Sequence, residues 1–359
     1  MTSLLLPTTP NNPLVSAQAH DAMGPMQLRE NTTLHFIENA AFDPSATDYD
    51  PNYENSQAHS KQFLAHMAHV HDTLKARYPA GSKLVEVGCG KGDFLELAQT
   101  AGHFQCKGYD TTYDGSAPFI EKRYLTAQDK ETADIVVLRH VLEHIPQPHK
   151  FLSMLAQVFG AADIYIEVPN LDWILQNNTF FDITYEHVNY FSQHALAALF
   201  DQSVKTAELC FDEQYQFVIA SLSDLGSQFP TAYDAKLWRD LSFDQLFPQL
   251  ETQIDSLTAA VGENGRCFLW GAATKGCMFL LHADRLRSIG RHVPYAIDIN
   301  PKKQGRWLPG SKIAIRAPEA FFEDAQPGDV LAIANPAYQN EITAQLAARE
   351  LDFVKVCCI

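Results

Sequence analysis

The segment EVGCGKG at residues 86–92 constrains the fold of this chain more than any other feature. It follows an apolar run at 84–85 and precedes a helical pattern over 93–98, so the local order is strand, glycine turn, helix. Gly88, Gly90 and Gly92 allow a tight turn and bring backbone N–H groups close to a ligand. This arrangement predicts an α/β fold that binds a nucleoside at the carboxyl end of a parallel strand.

An acid follows the turn at the spacing of a ribose ligand. Asp110 comes directly after a second strand-like run at 105–109, and a carboxylate there can accept hydrogen bonds from both ribose hydroxyls. Dinucleotide sites have the spacing G-x-G-x-x-G, whereas here the third glycine comes one residue earlier and Glu86 precedes the first. The pattern resembles motif I of class I S-adenosylmethionine (SAM) methyltransferases. The alternative is an ordinary glycine-rich turn in another α/β protein.

Composition limits the other classes of function. A length of 359 residues with 46% hydrophobic content favours two domains. The net charge of −16 argues against a nucleic-acid partner. No segment approaches the roughly 20 apolar residues of a membrane span, and the first residues do not look like a signal peptide. Seven cysteines without a C-x-x-C pair predict reduced thiols, no metal site and a cytoplasmic protein.

Alternating strand and helix patterns divide the chain into two α/β units. Runs at 83–87, 104–110, 133–138 and 163–168 predict a parallel sheet, which runs at 204–210 and 214–222 close as an antiparallel hairpin. We therefore predict a class I methyltransferase Rossmann-like sheet followed by a second, smaller Rossmann-like α/β domain. The predicted segments are an N-terminal arm with a SAM-covering stretch (1–58), a SAM-binding methyltransferase domain (59–225), a helical connector (226–262) and a C-terminal Rossmann-like substrate domain (263–359).

The sequence RHVLEH at 139–144 follows another strand-like run. His140, Glu143 and His144 match the H-x-x-E-H pattern of inverted zinc peptidases, but such a site needs a third ligand and an open coordination position. Since the pattern lies at the carboxyl end of a parallel strand, the methyltransferase interpretation puts these histidines beside the SAM and substrate pockets. The alternative for either histidine is a polar residue at a capped helix start.

A long loop leaves the next strand with IEVPN at 166–170 and includes NTFFDITYEHVNYFS at 178–192. Loops of this length within a compact domain are usually functional. His187 can act as a base near neutral pH, Glu186 can orient it or meet a substrate hydroxyl, and Tyr185 can bond a developing oxyanion. The alternative is a structural loop held by the aromatic residues at 180, 181, 190 and 191.

These stretches resemble the sugar C-methyltransferase family, whose members methylate a carbon of a keto-sugar nucleotide. The similar features are the E-V-P-N strand end, the Glu-His motif followed by Tyr-Phe-Ser, and the H-V-x-E-H-I turn. YENSQAHS at 53–60 is similar to the family segment that covers bound SAM. WGAATKG at 270–276, DINPKKQG at 298–305, LPGSKI at 308–313 and Asn335 resemble the family's C-terminal domain. The resemblance covers roughly residues 50–359.

The resemblance implies SAM as the cofactor and a small-molecule acceptor such as a nucleotide sugar, with the chain acting as a monomer or homodimer. The implied SAM ligands are Tyr53, Asn55, Ser56, Glu86, Gly88, Gly90, Gly92, Asp110, Thr111 and His140. The implied catalytic residues are His187 as general base, Glu186, Tyr185 and His144. The implied substrate ligands are Asn170, Lys275, Asn300, Lys302 and Asn335. Tyr185, His144 or Asn170 would contact the enolate oxygen. For the basic cluster at 302–306, a solvated turn is the alternative.

Two departures from the family pattern concern the substrate. Family members usually begin with a small domain that holds zinc on four cysteines, but this chain has no cysteine before Cys89. The family tyrosine stands two residues before the glutamate, where this chain has Thr184, and Tyr185 is adjacent to Glu186. Three alternatives stay open: an N- or O-methyltransferase of a small metabolite, a zinc hydrolase that uses His140 and His144, and a non-catalytic SAM- or nucleotide-binding module.

Overall fold

The structure is a computed structural model that describes residues 4–47, 49, 53–227 and 235–359. Parts of two predicted segments, 1–3, 48 and 50–52 of the arm and 228–234 of the connector, lie outside the described residues. The first ten strands are β1 (Leu4–Pro7), β2 (Met23–Met26), β3 (Leu28–Asn31), β4 (Phe36–Asn39), β5 (Lys83–Val87), β6 (Gln105–Tyr109), β7 (Ile120–Glu121), β8 (Ile135–Arg139), β9 (Asp163–Pro169) and β10 (Asn189–Tyr190). The remaining strands are β11 (Thr206–Cys210), β12 (Tyr215–Ser221), β13 (Trp238–Asp240), β14 (Cys267–Trp270), β15 (Ala296–Ile297), β16 (Ile315–Arg316), β17 (Val330–Ile333) and β18 (Lys355–Cys358).

The helices surround these strands. They are α1 (Lys61–Lys75), α2 (Asp93–Ala101), α3 (Pro148–Phe159), α4 (Leu171–Gln176), α5 (Gln193–Ala198), α6 (Phe243–Leu246), α7 (Leu250–Val261), α8 (Thr274–Arg287), α9 (Pro318–Asp324) and α10 (Gln339–Ala347). Within the described ranges, no helix has both the length and the apolar character needed to cross a membrane.

The amino-terminal segment differs from the arm that the sequence predicted. β1 and β2 form an antiparallel hairpin, and β3 and β4 form a second one that β10 and β13 extend to four strands. Leu6 and Met26 are buried in the same core as residues of the C-terminal half. Each of these strands has two to four residues, which is too short to give a recognisable alternation of apolar residues.

The second region contains the predicted class I methyltransferase sheet. Its strand order is β11-β12-β9-β8-β5-β6-β7, and β12 runs antiparallel to β9 and β11 while the pairs from β9 to β7 are parallel. The antiparallel hairpin predicted to close the sheet is therefore confirmed. The central strands β5, β8 and β9 are buried over almost their whole length, as is typical of a parallel sheet with helices on both faces.

The third region is a smaller parallel sheet with the order β16-β15-β14-β17-β18. This confirms the predicted second Rossmann-like domain. The predicted connector helix is present as α6 and α7, and Leu250, Ile254, Leu257 and Val261 bury one face of α7. Because the exact division of the chain into domains depends on where each region is cut, the predicted boundaries stay a prediction.

The two larger sheets present their carboxyl ends to one cavity of about 300 Å³. On the first sheet, Gly88 directly after β5, His140 directly after β8 and Pro169 at the end of β9 line it. On the second sheet, Gly271 follows β14 and Ala334 follows β17. In open α/β sheets, ligands bind outside these strand ends, so the fold directs both domains at the same ligand space.

Candidate active site

The glycine turn has the backbone conformation that its sequence requires. Gly88, Gly90 and Gly92 have φ values of 78°, 55° and 87°, in the left-handed region. A Cβ atom at Gly88 would lie 2.5 Å from the Val141 side chain. Gly88 and Gly90 line the cavity, whereas Gly92 is the N-cap of α2 and lies behind it. At Gly88 and Gly90 the turn therefore offers its backbone to a ligand, while Cys89 and Lys91 of the same turn also line the cavity.

The Asp110 carboxylate makes hydrogen bonds at the glycine turn, and its predicted contact with the SAM ribose stays a prediction. Its Oδ2 accepts a hydrogen bond from the Gly90 N–H at 2.7 Å, and its Oδ1 accepts from the N–H and hydroxyl of Thr112, each at 2.7 Å. Neither Asp110 nor Thr111 belongs to the residues that line the cavity. The carboxylate therefore holds the glycine turn, because the turn leaves the Gly90 N–H without a partner in regular secondary structure.

The predicted SAM-covering segment closes one side of the cavity. Tyr53, Asn55 and Ser56 all line it. The Ser56 hydroxyl donates to Asp93 Oδ2 at 2.7 Å, which fastens the segment to the first turn of α2. The Asn55 side-chain amide lies 3.5 Å from the position of a Cβ atom on Gly90. The segment therefore lies directly over the glycine turn.

Glu86 is a buried acid in the cavity wall. It is 2% exposed, and its Oε2 has no hydrogen-bond partner among the described residues. Burial raises the pKa of Glu86 to about 8, although Arg139 opposes this shift; Arg139 Nη1 lies 3.9 Å from Oε1. An unsatisfied buried carboxyl group beside a glycine turn is available to a ligand that brings a hydrogen-bond donor or a positive charge.

A cluster of charged groups that the sequence analysis missed lies next to Glu86. Glu167, which is 0% exposed, lies 3.1 Å from His66 Nε2, 3.2 Å from His140 Nε2 and 3.5 Å from Arg139 Nε. The Tyr165 hydroxyl donates to Glu167 at 2.7 Å. Burial alone would raise the pKa of Glu167, but His66, Arg139 and His140 hold it well below its usual range. An acid within the apolar strand β9 was the sequence signal for this cluster.

His140 occupies a strained position at the end of β8. Its φ is 53°, in the left-handed region that bulky residues avoid, and its Nδ1 lies 3.4 Å from Glu143 Oε1. Burial would lower the pKa of His140, but Glu143 and Glu167 raise it to about 9. Since a 3-10 turn, Leu142–His144, replaces an α-helix here, His140 and His144 do not form the helical ligand pair of an inverted zinc peptidase.

The predicted catalytic residues Glu186, His187 and His144 meet in the cavity. Glu186 is 1% exposed and accepts a hydrogen bond from the Tyr53 hydroxyl at 2.8 Å. Burial raises the pKa of Glu186. The rings of His144 and His187 pack edge to face with their centroids 4.8 Å apart. Burial, and then the neighbouring His144 and His140, hold the pKa of His187 well below its usual range, so its imidazole is neutral.

Tyr185 lies in the core, outside the residues that line the cavity. It is 0% exposed, its ring packs against Gly24, and its hydroxyl accepts from the Asp43 N–H at 2.9 Å. The adjacent Thr184 is also buried, and no partner for its hydroxyl is seen in the described ranges. This geometry does not support the oxyanion role predicted for Tyr185, because Tyr185 secures the amino-terminal segment.

The predicted substrate residues divide into two groups. Lys275, Asn300 and Asn335 line the cavity. Asn170 instead caps α4 through Asp172 and donates to the Glu213 carbonyl at 3.0 Å. Lys302 lies outside the cavity wall, 3.0 Å from Asp114 and 3.4 Å from Glu54.

Within the cavity, the acceptor-side groups connect the two domains. Lys275 Nζ lies 2.7 Å from Asp182 Oδ1, and Asn335 Oδ1 accepts from Gln214 Nε2 at 3.0 Å. Lys303 belongs to the basic cluster for which contact with a diphosphate and a solvated turn are the two interpretations. It is 4% exposed and lines the cavity, with its Nζ 3.7 Å from Asp298. The cavity lining therefore includes the ammonium groups of Lys275 and Lys303 and the side-chain amides of Asn300 and Asn335.

Comparisons with known proteins agree with this architecture. Residues 56–203 match the family described as methyltransferase domain, and residues 242–355 match the C-methyltransferase C-terminal domain. The chain is 27% identical over 272 residues to C-methyltransferase NovU of Streptomyces niveus. The aligned region covers 67% of this chain and 63% of that protein. The match therefore spans less than two thirds of the relative's own length.

Two solved structures illustrate how distant the similar folds are. A SAM-dependent methyltransferase from Aquifex aeolicus is 13% identical, covers 46% of this chain and 95% of its own, and has a TM-score of 0.35. Magnesium protoporphyrin IX methyltransferase from Synechocystis, solved with bound SAM, is 16% identical, covers 47% and 85%, and has a TM-score of 0.33. At these scores neither similarity carries weight in the assignment.

The sheet topology, the glycine turn and the first family match together identify a class I methyltransferase domain over residues 56–203, a kind of domain whose methyl donor is SAM. The cavity fits this cofactor, since it combines an open glycine cradle with the unsatisfied carboxyl group of Glu86. With the second match, the chain combines a region similar to a methyltransferase domain with a region similar to the C-methyltransferase C-terminal domain.

Proposed function

We propose that this protein transfers the methyl group of SAM to a carbon next to a carbonyl group of a small acceptor, with keto-sugar nucleotides as the acceptor class. One observation carries the proposal: the glycine turn and the Glu186–His187 pair line the same cavity, between the sheets of two domains. The name of the C-methyltransferase relative and the matched C-terminal family support carbon as the methylated atom.

The donor side of the cavity consists of residues that bind and cover SAM. Bound SAM supplies an electrophilic methyl group on its sulfonium. Gly88 and Gly90 offer backbone to it, Glu86 offers a carboxyl group, and Tyr53 and Asn55 close the site above the turn. Holding donor and acceptor about 3 Å apart in line supplies several kcal/mol of the barrier, and the enclosed position also excludes water.

His187 is the proposed general base. A neutral imidazole accepts the proton from the acceptor carbon, and the electron pair of that C–H bond moves into the carbonyl to give an enolate. Its neutral state follows from burial and from neighbouring positive groups. Glu186, held by Tyr53 at 2.8 Å, then stabilises the imidazolium that forms. The enolate carbon would be the nucleophile for the methyl group of SAM held by the glycine turn, and the electron pair of the broken carbon–sulfur bond would stay on sulfur.

The enolate oxygen needs a hydrogen-bond donor, and His144 is the proposed one. Of the three residues predicted for this role, Tyr185 and Asn170 lie outside the cavity wall, whereas His144 lines it beside His187. A positioned donor of this kind typically contributes about 10²- to 10³-fold to turnover.

The acceptor side supports binding of an anionic group. Lys275 and the buried Lys303 contribute ammonium groups, while Asn300 Nδ2 is buried without a hydrogen-bond partner in the ranges that the structure describes. Paired ammonium and amide donors suit the diphosphate of a nucleotide sugar. A diphosphate would compete with Asp182 for Lys275, which now lies 2.7 Å away.

An N- or O-methyltransferase is the second candidate, and the loop sequence favours it at one point. Thr184 stands where the sugar C-methyltransferase pattern has a tyrosine, and Tyr185 is in the core. The loop therefore contributes no phenol to an enolate, which a heteroatom acceptor would not need.

The test is methyl transfer from labelled SAM to a panel of keto-sugar nucleotides and small metabolites, with His187→Ala as the variant and His69→Ala, an exposed position on α1, as the control. We expect His187→Ala to lower turnover by about 10²- to 10⁴-fold with SAM affinity unchanged in calorimetry. Full turnover in this variant would exclude the base role. Product analysis that puts the methyl group on nitrogen or oxygen, with a mild loss, would establish the second candidate.

A further inference from the structure

Three potential metal ligands converge in the cavity. A carboxylate oxygen of Glu143 and one ring nitrogen each of His144 and His187 lie within 4.8 Å of one another. Two of them come from the turn after β8, and the third comes from the loop before β10. All three residues line the cavity, so an ion from solution can reach them.

Glu143 is the observation that points to a ligand. It is 1% exposed, and neither carboxylate oxygen has a hydrogen-bond partner within the described part of the chain. His140 Nδ1, at 3.4 Å, is close enough for an ion pair, but His140 also faces Glu167 at 3.2 Å. A buried polar group left without hydrogen bonds costs about 1–3 kcal/mol, and more when it is charged, unless a bound species completes its surroundings.

One of the two imidazoles, that of His144, has a hydrogen-bond partner of the kind that orients metal-ligating histidines. The Tyr49 hydroxyl lies 3.2 Å from His144 Nδ1. In the tautomer whose Nδ1–H donates to the phenol oxygen, Nε2 keeps its lone pair for a metal, and such hydrogen bonds orient histidine ligands. His187 packs edge to face on His144, which holds both rings in place.

We propose that Glu143, His144 and His187 form a binding site for a first-row divalent metal ion such as Zn²⁺. Such ions are bound in proteins by two imidazoles and one carboxylate, and the remaining coordination positions are then open to solvent or substrate. The ion would occupy the lone pair that His187 needs for proton removal. Metal binding therefore blocks methyl transfer, and this consequence rests on the proposed function.

A second group of potential ligands, His66, Glu167 and Cys210, is a poorer candidate. Its donor atoms also lie within 4.8 Å of one another, but the Glu167 carboxylate already faces Arg139, His140 and Tyr165. All three residues are buried, and Glu167 and Cys210 are not among the cavity-lining residues. The thiol of Cys210 gives this group a distinct spectroscopic signature.

The experiment titrates Co²⁺ and then Zn²⁺ into the SAM-free protein, followed by visible absorption and calorimetry. We expect one saturable Co²⁺ site with d–d bands and without thiolate charge transfer, from which Zn²⁺ displaces Co²⁺. Glu143→Gln and His144→Ala should each weaken Zn²⁺ binding by more than the roughly 10- to 100-fold typical of outer-shell changes. His69→Ala and Cys210→Ser should bind as the wild type does.

Circular dichroism of each variant checks folding, and the isosteric Glu143→Gln keeps the test decisive if His144→Ala unfolds. Any of three results would overturn the site. These are the absence of saturable binding, equal Zn²⁺ binding by Glu143→Gln and the wild type, and a thiolate charge-transfer band that is lost in Cys210→Ser. Inhibition of methyl transfer should have the same midpoint as Zn²⁺ binding. Binding at the site with undiminished turnover would overturn the blocking consequence and, separately, the base role of His187.

Discussion

Replacing Glu167 by glutamine removes a charge from a fully buried cluster while keeping the shape of the side chain. Glu167 is 0% exposed and faces His66 on α1, Arg139 and His140 at the end of β8, Tyr165 on its own strand and Cys210 on β11. When the Glu167 carboxylate is removed, the nearest remaining carboxylate to Arg139 is that of Glu86, with Oε1 3.9 Å from Arg139 Nη1. Removal of one partner from a buried ion pair costs about 3–5 kcal/mol.

The lower end of this range applies, because His140 can release its proton when the charge of Glu167 is lost, whereas Arg139 cannot. For a domain of 150–250 residues, about 1 kcal/mol lowers the melting temperature by roughly 2–4 °C. We therefore expect Glu167→Gln to lower it by about 6–12 °C in thermal unfolding at pH 6. Glu208→Gln, at an exposed position on β11, is the control.

The effect should depend on pH in a defined direction. The folded-state pKa of Glu167 is lowered, so its contribution is present above the unfolded value of about 4.5 and disappears as the pH falls. The pKa of His140 is raised to about 9, so its pairing with Glu167 is complete below about pH 6.5 and disappears as the pH rises through 9. The difference between variant and wild type should therefore be largest near pH 6. A loss no greater than that of the control would refute the charged state of this cluster.

Three further substitutions test the site. Asp110→Ala should weaken SAM binding about 10- to 100-fold, since the Gly90 N–H loses a charge-assisted hydrogen bond of roughly 1.5–3 kcal/mol; unchanged affinity in calorimetry would separate Asp110 from the donor site. Tyr53→Phe should lower turnover by a similar factor, because the variant cannot donate to Glu186; equal turnover would remove Glu186 from the mechanism. Lys275→Ala should raise KM for a diphosphate-bearing acceptor and leave kcat within a few-fold, and an unchanged KM would contradict an anion site there.

The fold was largely predictable because it depends on periodic and local signals. The glycine turn at 86–92 requires positive φ angles that the sequence makes evident, and the apolar runs of β8, β9 and β17 are long enough to identify as buried strands. The hairpin of β11 and β12 was recognisable from two runs across a polar break. These features are set by residues close together in the chain.

Contacts between distant residues were not predictable in the same way. Tyr185 lies in the core because Gly24 and Asp43 receive its ring and hydroxyl, and nothing in the loop sequence indicates partners more than 140 positions away. Asp110 binds the Gly90 N–H because the folded turn leaves that donor unpaired. Charge clusters such as that of Glu167 form only when four separate segments meet.

The shared cavity has a consequence for how such a protein can be altered. In the proposed function, the glycine turn that would hold the methyl donor belongs to the first sheet, whereas Lys275, Asn300 and Asn335 belong to the domain of the second sheet. A chimera that exchanges the carboxyl-terminal half should therefore acquire a new choice of acceptor and retain the old cofactor. The contacts that join the two halves include Lys275 with Asp182, Asn335 with Gln214 and Thr274 with Glu186. A graft that changes only one residue of such a pair would move the nucleophile out of line with the methyl group. Both residues of each pair therefore have to be exchanged in the same chimera.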